Sequence, residues 1–140
     1  MKKRFLGCQY PLVKTSRGLL AQTYGIDQIK ADLLQLLLTN PGERVMLPTY
    51  GTPLRKLIFE PNDTLLEINT KQVISNAIAT WEPRIVITDI SVSSKPEIKN
   101  LSRDDTLENI DSIMYIKIKF VDPENIQEVE ELKLEVPLGG

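Results

Sequence analysis

The chain of 140 residues contains no histidine, and this absence removes much of the usual chemistry of enzymes. Without an imidazole side chain, neither a Ser-His-Asp triad nor a Cys-His pair can form. Zinc sites built on histidine are excluded for the same reason. Any catalytic role would therefore have to rest on carboxylates, of which the chain has 19.

Cysteine is almost as scarce. Cys8 is the single cysteine, so the chain cannot form an internal disulfide, and a reducing compartment fits this composition. The four residues that end at Cys8, Phe-Leu-Gly-Cys, resemble a lipoprotein cleavage site, but the apolar segment that such a signal requires does not precede them. We therefore expect a protein that is cytosolic or assembled in the cytosol.

Long apolar runs and clustered basic residues are also lacking. No segment approaches the roughly 18 apolar residues of a membrane-spanning helix. Lysine and arginine are dispersed and the formal net charge is −2, so the sequence predicts neither a nucleic-acid partner nor a membrane partner. Gly42 and Gly51 are far apart and no Gly-Lys-Ser/Thr follows them, which excludes a phosphate-binding loop. No cofactor and no metal ion are predicted.

The chain does contain enough apolar residues for a core of its own. Its hydrophobic content is 41%, and a chain of this length buries roughly two thirds of its unfolded surface. We predict a flexible basic leader over residues 1–10 and a single domain over residues 11–140. In residues 11–24, apolar pairs flank a turn signal at residues 14–18, which predicts a small hairpin or an extended arm.

Two segments have the periodicity of a helix. Apolar residues recur at helical spacing over residues 26–38, and that helix is predicted to stop before Pro41. A loop-rich connector follows over residues 42–61, with a short helical turn after Pro53. The second helix is predicted to begin between Asn62 and Thr64 and to end near Trp81. Its predicted apolar side consists of Leu65, Ile68, Val73, Ile74, Ala77, Ile78 and Trp81.

Three later segments, residues 85–93, 113–121 and 129–136, alternate as strands do. A polar stretch over residues 95–112 and a turn at residues 122–125 join them. This order predicts an α+β domain, with two main helices packed on one face of a small antiparallel sheet that is a three-stranded C-terminal meander. In the first strand, Val86, Ile90 and Val92 are predicted to share one face, and Ile85 and Ile87 the other.

The last strand is predicted to be an edge of the sheet. Its apolar face consists of Leu132, Leu134 and Val136, opposite Lys133 and Glu135. An exposed edge can accept a strand from another chain, although many edges are simply protected by charged side chains. We keep both interpretations for this strand.

The segment Glu82-Pro83-Arg84 marks the corner between the second helix and the first strand. Proline disfavours helix for the residue before it, so the helix should end at Trp81 or Glu82. An acid at a helix C-terminus faces the negative end of the macrodipole and requires a cation. Arg84 lies two residues away on the same side of an extended path. Such a pair is either an internal clasp or a docking site, and the residue types leave both open.

Other residues of the connector have the character of interface anchors. Arginine and aromatic residues are enriched at the centres of protein interfaces. Arg44, Tyr50 and Trp81 are therefore candidate partner-binding residues, together with the corner and Gly51. The competing interpretation is internal: Trp81 would cap the core, and Arg44 or Arg84 would only neutralise Glu82.

An enzymatic alternative rests on acids near turns. Glu43, Glu60 and Glu82 all lie where a cleft could form, and a pair of carboxylates about 5–9.5 Å apart is what hydrolysis of a sugar polymer requires. Nothing in their spacing brings them together. Solvated or salt-bridged surface acids are the better interpretation of each, so no catalytic residue is predicted.

Two blocks of the sequence together resemble one known family. The first block is Gly42-Glu43-Arg44, Pro48-Thr49-Tyr50-Gly51, Leu54, Leu57 and Phe59-Glu60-Pro61. The second, about twenty residues later, is Trp81-Glu82-Pro83-Arg84-Ile85. At this spacing and in this order they are similar to the baseplate wedge proteins of contractile phage tails, which include the sheath initiators of related injection machines and of type VI secretion baseplates. The resemblance runs from about Ile26 to Val92.

The resemblance implies a structural role without catalysis. Members of the family sit where the baseplate wedge meets the sheath, bind the core helical bundle of the wedge and present a sheath-like domain on which the first sheath ring polymerises. It implies partner binding by Glu82, Pro83 and Arg84, and an edge strand at Leu132, Leu134 and Val136 that faces the sheath. It also implies several copies in a symmetric assembly, contacts with tube or hub proteins, and a place in the virion tail baseplate.

Three alternatives remain at this stage. Some family members carry a lysozyme label, so a peptidoglycan hydrolase of the tail is one alternative. A baseplate component of a bacterial contractile injection system is another, although the compact length favours a phage. A generic oligomeric adaptor is the third. Residues 95–112 form a longer connection than shorter members have, which leaves open which neighbour this side of the sheet faces.

Overall fold

A computed structural model describes residues 6–57, 64–93 and 113–137 of the chain. The predicted connection over residues 95–112 lies outside these ranges. None of the described helices is long and apolar enough to cross a membrane. The elements in chain order are strands β1 (Gly7–Cys8) and β2 (Gln22–Thr23), helices α1 (Ile26–Leu38), α2 (Leu54–Leu57) and α3 (Thr64–Trp81), and strands β3 (Val86–Ser93), β4 (Ile113–Asp122) and β5 (Asn125–Pro137). The predicted α+β class is confirmed.

The N-terminal hairpin is present and is longer than the sequence suggested. Strands β1 and β2 pair antiparallel, and an isolated bridge joins Lys14 to Leu20 near the turn. The hydroxyl of Thr15 accepts a hydrogen bond from the backbone N–H of Leu19 at 3.1 Å, which closes the turn. Because Gly7 and Cys8 belong to the hairpin, the predicted boundary between leader and domain at residue 10 does not match the pairing.

The buried side of helix α3 matches the predicted one in its C-terminal half, where Ile74 and Ile78 are buried, but differs in its N-terminal half. Leu66, Thr70, Ile74 and Ile78 are its buried residues, at spacings of four residues. Leu65 and Ile68 are 62% and 57% exposed, so their assignment to the apolar side was wrong. Thr70 can occupy the core because its hydroxyl donates to the carbonyl oxygen of Leu66 at 2.7 Å, which satisfies the buried polar group.

A bulge in β3 reverses the alternation of its side chains. Strand β3 pairs antiparallel with β4, and the register shifts between Ile87 and Asp89. The extra residue shifts the alternation of side chains by one position. Residues separated by an odd number of positions across the bulge therefore lie on the same face of the sheet. Ile85 and Val92 are buried, whereas Val86 is 53% exposed. The prediction that Val86 shares a face with Val92 was therefore wrong.

The three-stranded sheet has the order β3-β4-β5, and the helices supply the other side of the core. Phe120 and Ile118 of β4 are completely buried at its centre. Strand β5 is an edge of the described sheet, as predicted. The side chains of Leu132, Leu134 and Val136 pack in or against the core, so they do not face a partner directly. A neighbouring chain at this edge would instead meet backbone groups and the alternate side chains.

The orientation of α3 predicts different effects for substitutions at two adjacent leucines. Leu66→Ala should lower the free energy of unfolding by about 2–5 kcal/mol, because it leaves a cavity in the core. Leu65→Ala, one residue earlier and 62% exposed, should change it by less than about 0.5 kcal/mol. Urea titration followed by circular dichroism measures both values. Equal losses in the two variants would contradict the described orientation of the helix.

Candidate functional site

The corner at residues 82–84 is held by a bidentate ion pair. Helix α3 ends at Trp81, and the backbone N–H of Glu82 still donates to the carbonyl oxygen of Ile78 at 2.8 Å. The Nε and Nη2 atoms of Arg84 donate to Oε1 and Oε2 of Glu82, both at 2.5 Å. Glu82 is only 5% exposed, so its charge is stabilised by this guanidinium and not by water.

Asp32 is a second carboxylate bound by Arg84. The same Nη2 of Arg84 donates to Oδ2 of Asp32 at 2.5 Å, across 52 residues of sequence. The sequence placed Asp32 off the apolar stripe of α1 and gave it no role. No local signal in the sequence identifies it, because Asp32 reaches Arg84 only through the packing of α1 beside the corner. Hydrogen bonding to Glu82, and then to Asp32, raises the pKa of Arg84 further above its already high value, against the opposing effect of burial.

An aromatic and cationic stack lies beside the ion pair. The guanidinium carbon of Arg44 lies 4.0 Å from the ring centroid of Tyr50, a cation–π contact. The rings of Tyr50 and Trp81 meet edge to face, with centroids 5.3 Å apart and an interplanar angle of 67°. Burial raises the pKa of the Tyr50 phenol; Arg44 opposes this effect, and the charges of Asp32 and Glu82 add to it. We call these six residues the corner cluster: Asp32, Arg44, Tyr50, Trp81, Glu82 and Arg84.

The connector is fixed to the end of α1, which is what places Tyr50 in the cluster. Gly51 has a φ of +113°, and a Cβ there would lie 2.2 Å from the carbonyl oxygen of Thr39. Thr52 donates its N–H to that oxygen at 2.8 Å and its hydroxyl to the carbonyl oxygen of Leu37 at 2.7 Å. Only glycine fits this approach and this conformation, so Gly51 is a buried structural position.

Exposure divides the predicted site residues into two groups. Glu82 and Gly51 are buried, whereas Arg44, Tyr50 and Trp81 are half-buried and Pro83 is exposed. The side chain of Arg84 keeps 30% of its surface accessible. Glu82 therefore acts as an internal clasp, and the remaining side chains reach the surface.

Sequence reasoning missed two apolar residues beside the cluster. Val45 and Met46, directly after Arg44, are 93% and 89% exposed. The turn that carries them is closed where Gly42 donates its N–H to the carbonyl oxygen of Pro48 at 2.8 Å. The signal in the sequence was two adjacent apolar residues inside a turn rich in proline and glycine. A shallow groove lies between the connector and α3, and it is lined by Thr49, Gly51, Pro53, Val73, Asn76, Ala77, Thr80 and Trp81.

The two described acids that were candidates for hydrolysis, Glu43 and Glu82, lie in different environments. Glu43 is exposed and accepts hydrogen bonds from the side-chain amide and backbone N–H of Asn40, at 2.7 and 3.0 Å. These bonds, the side-chain one first, lower the pKa of Glu43. Glu82 is committed to Arg84, and Glu60 lies outside the described residues. Across the described ranges, no group of three or more Cys, Asp or Glu side chains could hold a metal ion.

Solved structures share this fold. A protein of Geobacter sulfurreducens that carries the provisional name of a tail lysozyme superposes with a TM-score of 0.69. The match covers 87% of this chain and 98% of that one at 20% identity. A chain of the anti-feeding prophage baseplate superposes with a TM-score of 0.60, covering 96% of this chain and 86% of that one at 19% identity. At these identities the likeness concerns the fold alone.

Relatives with assigned roles agree with the family suggested by the sequence blocks. Baseplate protein W of Escherichia phage P2 is 29% identical over 68 residues, 49% of this chain and 59% of that protein. The match therefore spans less than two thirds of the phage P2 protein. Baseplate wedge protein gp25 of Enterobacteria phage T4 is 25% identical over 116 residues, 83% of this chain and 78% of that protein. The family model described as baseplate wedge protein gp25 matches residues 24–119, which include the whole corner cluster, and the chain belongs to that family.

Proposed function

We propose that the protein is a structural component of the baseplate of a contractile phage tail. The observation that carries this proposal is the family match over residues 24–119, since it contains the connector, the corner, β3 and most of β4. Its relatives from phages P2 and T4 are named as baseplate proteins. Its place would be the tail baseplate of the virion, in several copies within a symmetric assembly.

The surface part of the corner cluster is the proposed contact with other wedge proteins and their core helical bundle. Arg44 and Arg84 carry cations and Tyr50 and Trp81 carry aromatic rings; all four are half-buried, and these residue types are enriched at interface centres. Val45 and Met46 add exposed apolar area next to them. The clasp inside and the contact outside are compatible, because Arg84 binds two carboxylates and still reaches solvent.

The edge strand β5 is the proposed platform for the tail sheath. Its backbone groups on the side away from β4 can pair with an added strand. Its inward side chains keep the strand fixed to the core while a partner binds. Tube or hub proteins are further proposed neighbours. The likeness to the anti-feeding prophage baseplate favours a bacterial injection machine as the second setting for the same role.

A hydrolytic function is the weaker alternative, although one similar structure carries the provisional name of a tail lysozyme. A general acid in such an enzyme needs a raised pKa so that it holds a proton near neutral pH. The pKa of Glu43 is lowered, and the oxygens of Glu82 are occupied by Arg84. We propose that the chain has no peptidoglycan hydrolase activity.

The proposed contact surface can be tested without disturbing the clasp. A double variant, Val45→Ser with Met46→Ser, should keep the stability of the protein within about 0.5 kcal/mol, because both side chains are exposed. Its affinity for the co-expressed wedge proteins of the same genome should fall at least about tenfold, as expected for lost interface anchors. Ile126→Ser, 71% exposed at the β4–β5 turn, is the matched control. If the double variant binds as well as the control, the contact is elsewhere.

The clasp gives a separate prediction about stability. Arg84→Met should lower the free energy of unfolding by about 1–3 kcal/mol at pH 7, since it leaves the Glu82 carboxylate buried without a partner. Chemical denaturation of the variant and of the wild-type protein measures the difference. A loss of less than about 0.5 kcal/mol, the change expected at an ordinary surface position, would contradict the clasp.

The absence of hydrolase activity is tested on isolated cell walls. We expect the purified protein to clear a peptidoglycan suspension no faster than buffer, and Glu43→Gln and Glu60→Gln variants to behave the same. Hen egg-white lysozyme serves as the positive control. Clearing by the wild-type protein that either substitution removes would establish the enzymatic alternative instead.

A further inference from the structure

A buried amide joins the N-terminal hairpin to the corner cluster. Gln28 of α1 is only 5% exposed. Its Oε1 accepts a hydrogen bond from the hydroxyl of Thr23 in β2 at 2.5 Å, and its Nε2 donates to Oδ1 of Asp32 at 2.8 Å. The other oxygen of Asp32 accepts from Arg84. The polar contacts therefore run without interruption from the hairpin through α1 to Glu82.

We call the chain of hydrogen bonds from Thr23 through Gln28 and Asp32 to Arg84 and Glu82 the relay. The donor and the acceptor of each of its hydrogen bonds are fixed by chemistry. The Thr23 hydroxyl can only donate to the carbonyl oxygen of Gln28, which leaves the NH2 group of that amide for Asp32. Gln28 and Asp32 are four residues apart, so they are neighbours on the same side of α1. Gly7 of β1 lies directly against the amide, since a Cβ there would be 2.5 Å from Nε2 of Gln28. The hairpin backbone and the amide therefore fix each other's position.

We propose that Gln28 is a positioning residue that couples the N-terminal hairpin to the corner. By donating to Oδ1 of Asp32 it aims Oδ2 at Arg84, and by accepting from Thr23 it anchors the hairpin on α1. A substitution at the corner therefore changes the stability of the hairpin, and a partner would bind the corner and the hairpin as one unit. This last step rests on the proposed docking function of the corner, whereas the coupling itself belongs to the isolated protein.

A buried glutamine could also be a simple packing residue, and protonation distinguishes the two roles. Gln28→Glu keeps the acceptor for Thr23 but places a carboxylate beside Asp32. The charged groups of the relay near position 28 are Asp32 of α1 and, behind it, Arg84 and Glu82 of the corner; the hairpin contributes Thr23 and Gly7, which do not titrate. Repulsion from Asp32 and burial should raise the pKa of the introduced acid above its unfolded value.

The first experiment is a comparison of Gln28→Glu with the wild-type protein from pH 3 to pH 8. The variant should be less stable at neutral pH, where the introduced acid is ionised. The difference should vanish below about pH 4, because the protonated acid can again donate to Asp32 and the unfolded state is then protonated too. A deficit that is equal at all pH values would overturn the positioning role, because a packing defect does not titrate.

The second experiment measures hydrogen exchange in the hairpin of the pure protein. The N–H of Gln9 donates to the carbonyl oxygen of Ala21 at 3.0 Å, and the N–H of Ala21 donates to that of Val13 at 2.7 Å, so both amides report on the hairpin. Gln28→Met, which keeps the length of the side chain, should speed their exchange about tenfold, as expected for the loss of one net hydrogen bond. Arg84→Met should speed it as well.

Ile74→Val, in the core of α3, is the control for a general loss of stability. Hairpin exchange that rises in this control as much as in Arg84→Met would overturn the coupling. If the coupling is found but Gln28→Met still co-purifies with the wedge proteins at wild-type affinity, the docking function of the corner fails and the coupling stands. Loss of co-purification in Gln28→Met and in the double variant of Val45 and Met46 supports both.

Discussion

The guanidinium of Arg84 forms the ion pairs that connect both long helices at the start of the sheet. Arg84 binds Glu82 at the end of α3 and Asp32 in the middle of α1, while its own backbone leads into β3. A buried carboxylate is costly unless a partner compensates its charge, so Glu82 depends on this contact. This side chain therefore links the two long helices and the start of the sheet, which also share the hydrophobic core.

The connector over residues 42–61 places aromatic and cationic side chains beside these ion pairs. The close approach of Gly51 to Thr39 leaves no freedom in the path of the chain, and Tyr50 is placed against Trp81 as a result. The guanidinium of Arg44 then stacks on the ring of Tyr50. The proposed partner contact would be preorganised, because its aromatic and cationic groups are held by the fold before a partner arrives. This is the property expected of an assembly part that adds in fixed geometry.

Local signals in the sequence were sufficient for the elements and for part of the site. Pro83 located the end of α3, and the two-residue spacing of Glu82 and Arg84 predicted their pair. What could not be predicted depends on residues far apart or on a shift of one residue. Asp32 joins the cluster only because α1 packs beside the corner, and the bulge after Ile87 reverses a pattern that strict alternation would extend.

The shared cation also has an evolutionary consequence. Replacing Arg84 alone leaves two carboxylates facing each other, one of them buried, and replacing Glu82 alone leaves Arg84 with only its weaker, more exposed partner. Neither intermediate is neutral, so the three positions cannot drift independently. Relatives that lack the arginine would need an uncharged residue at position 82 as well, and the history of the family should show these sites inherited or lost as a block.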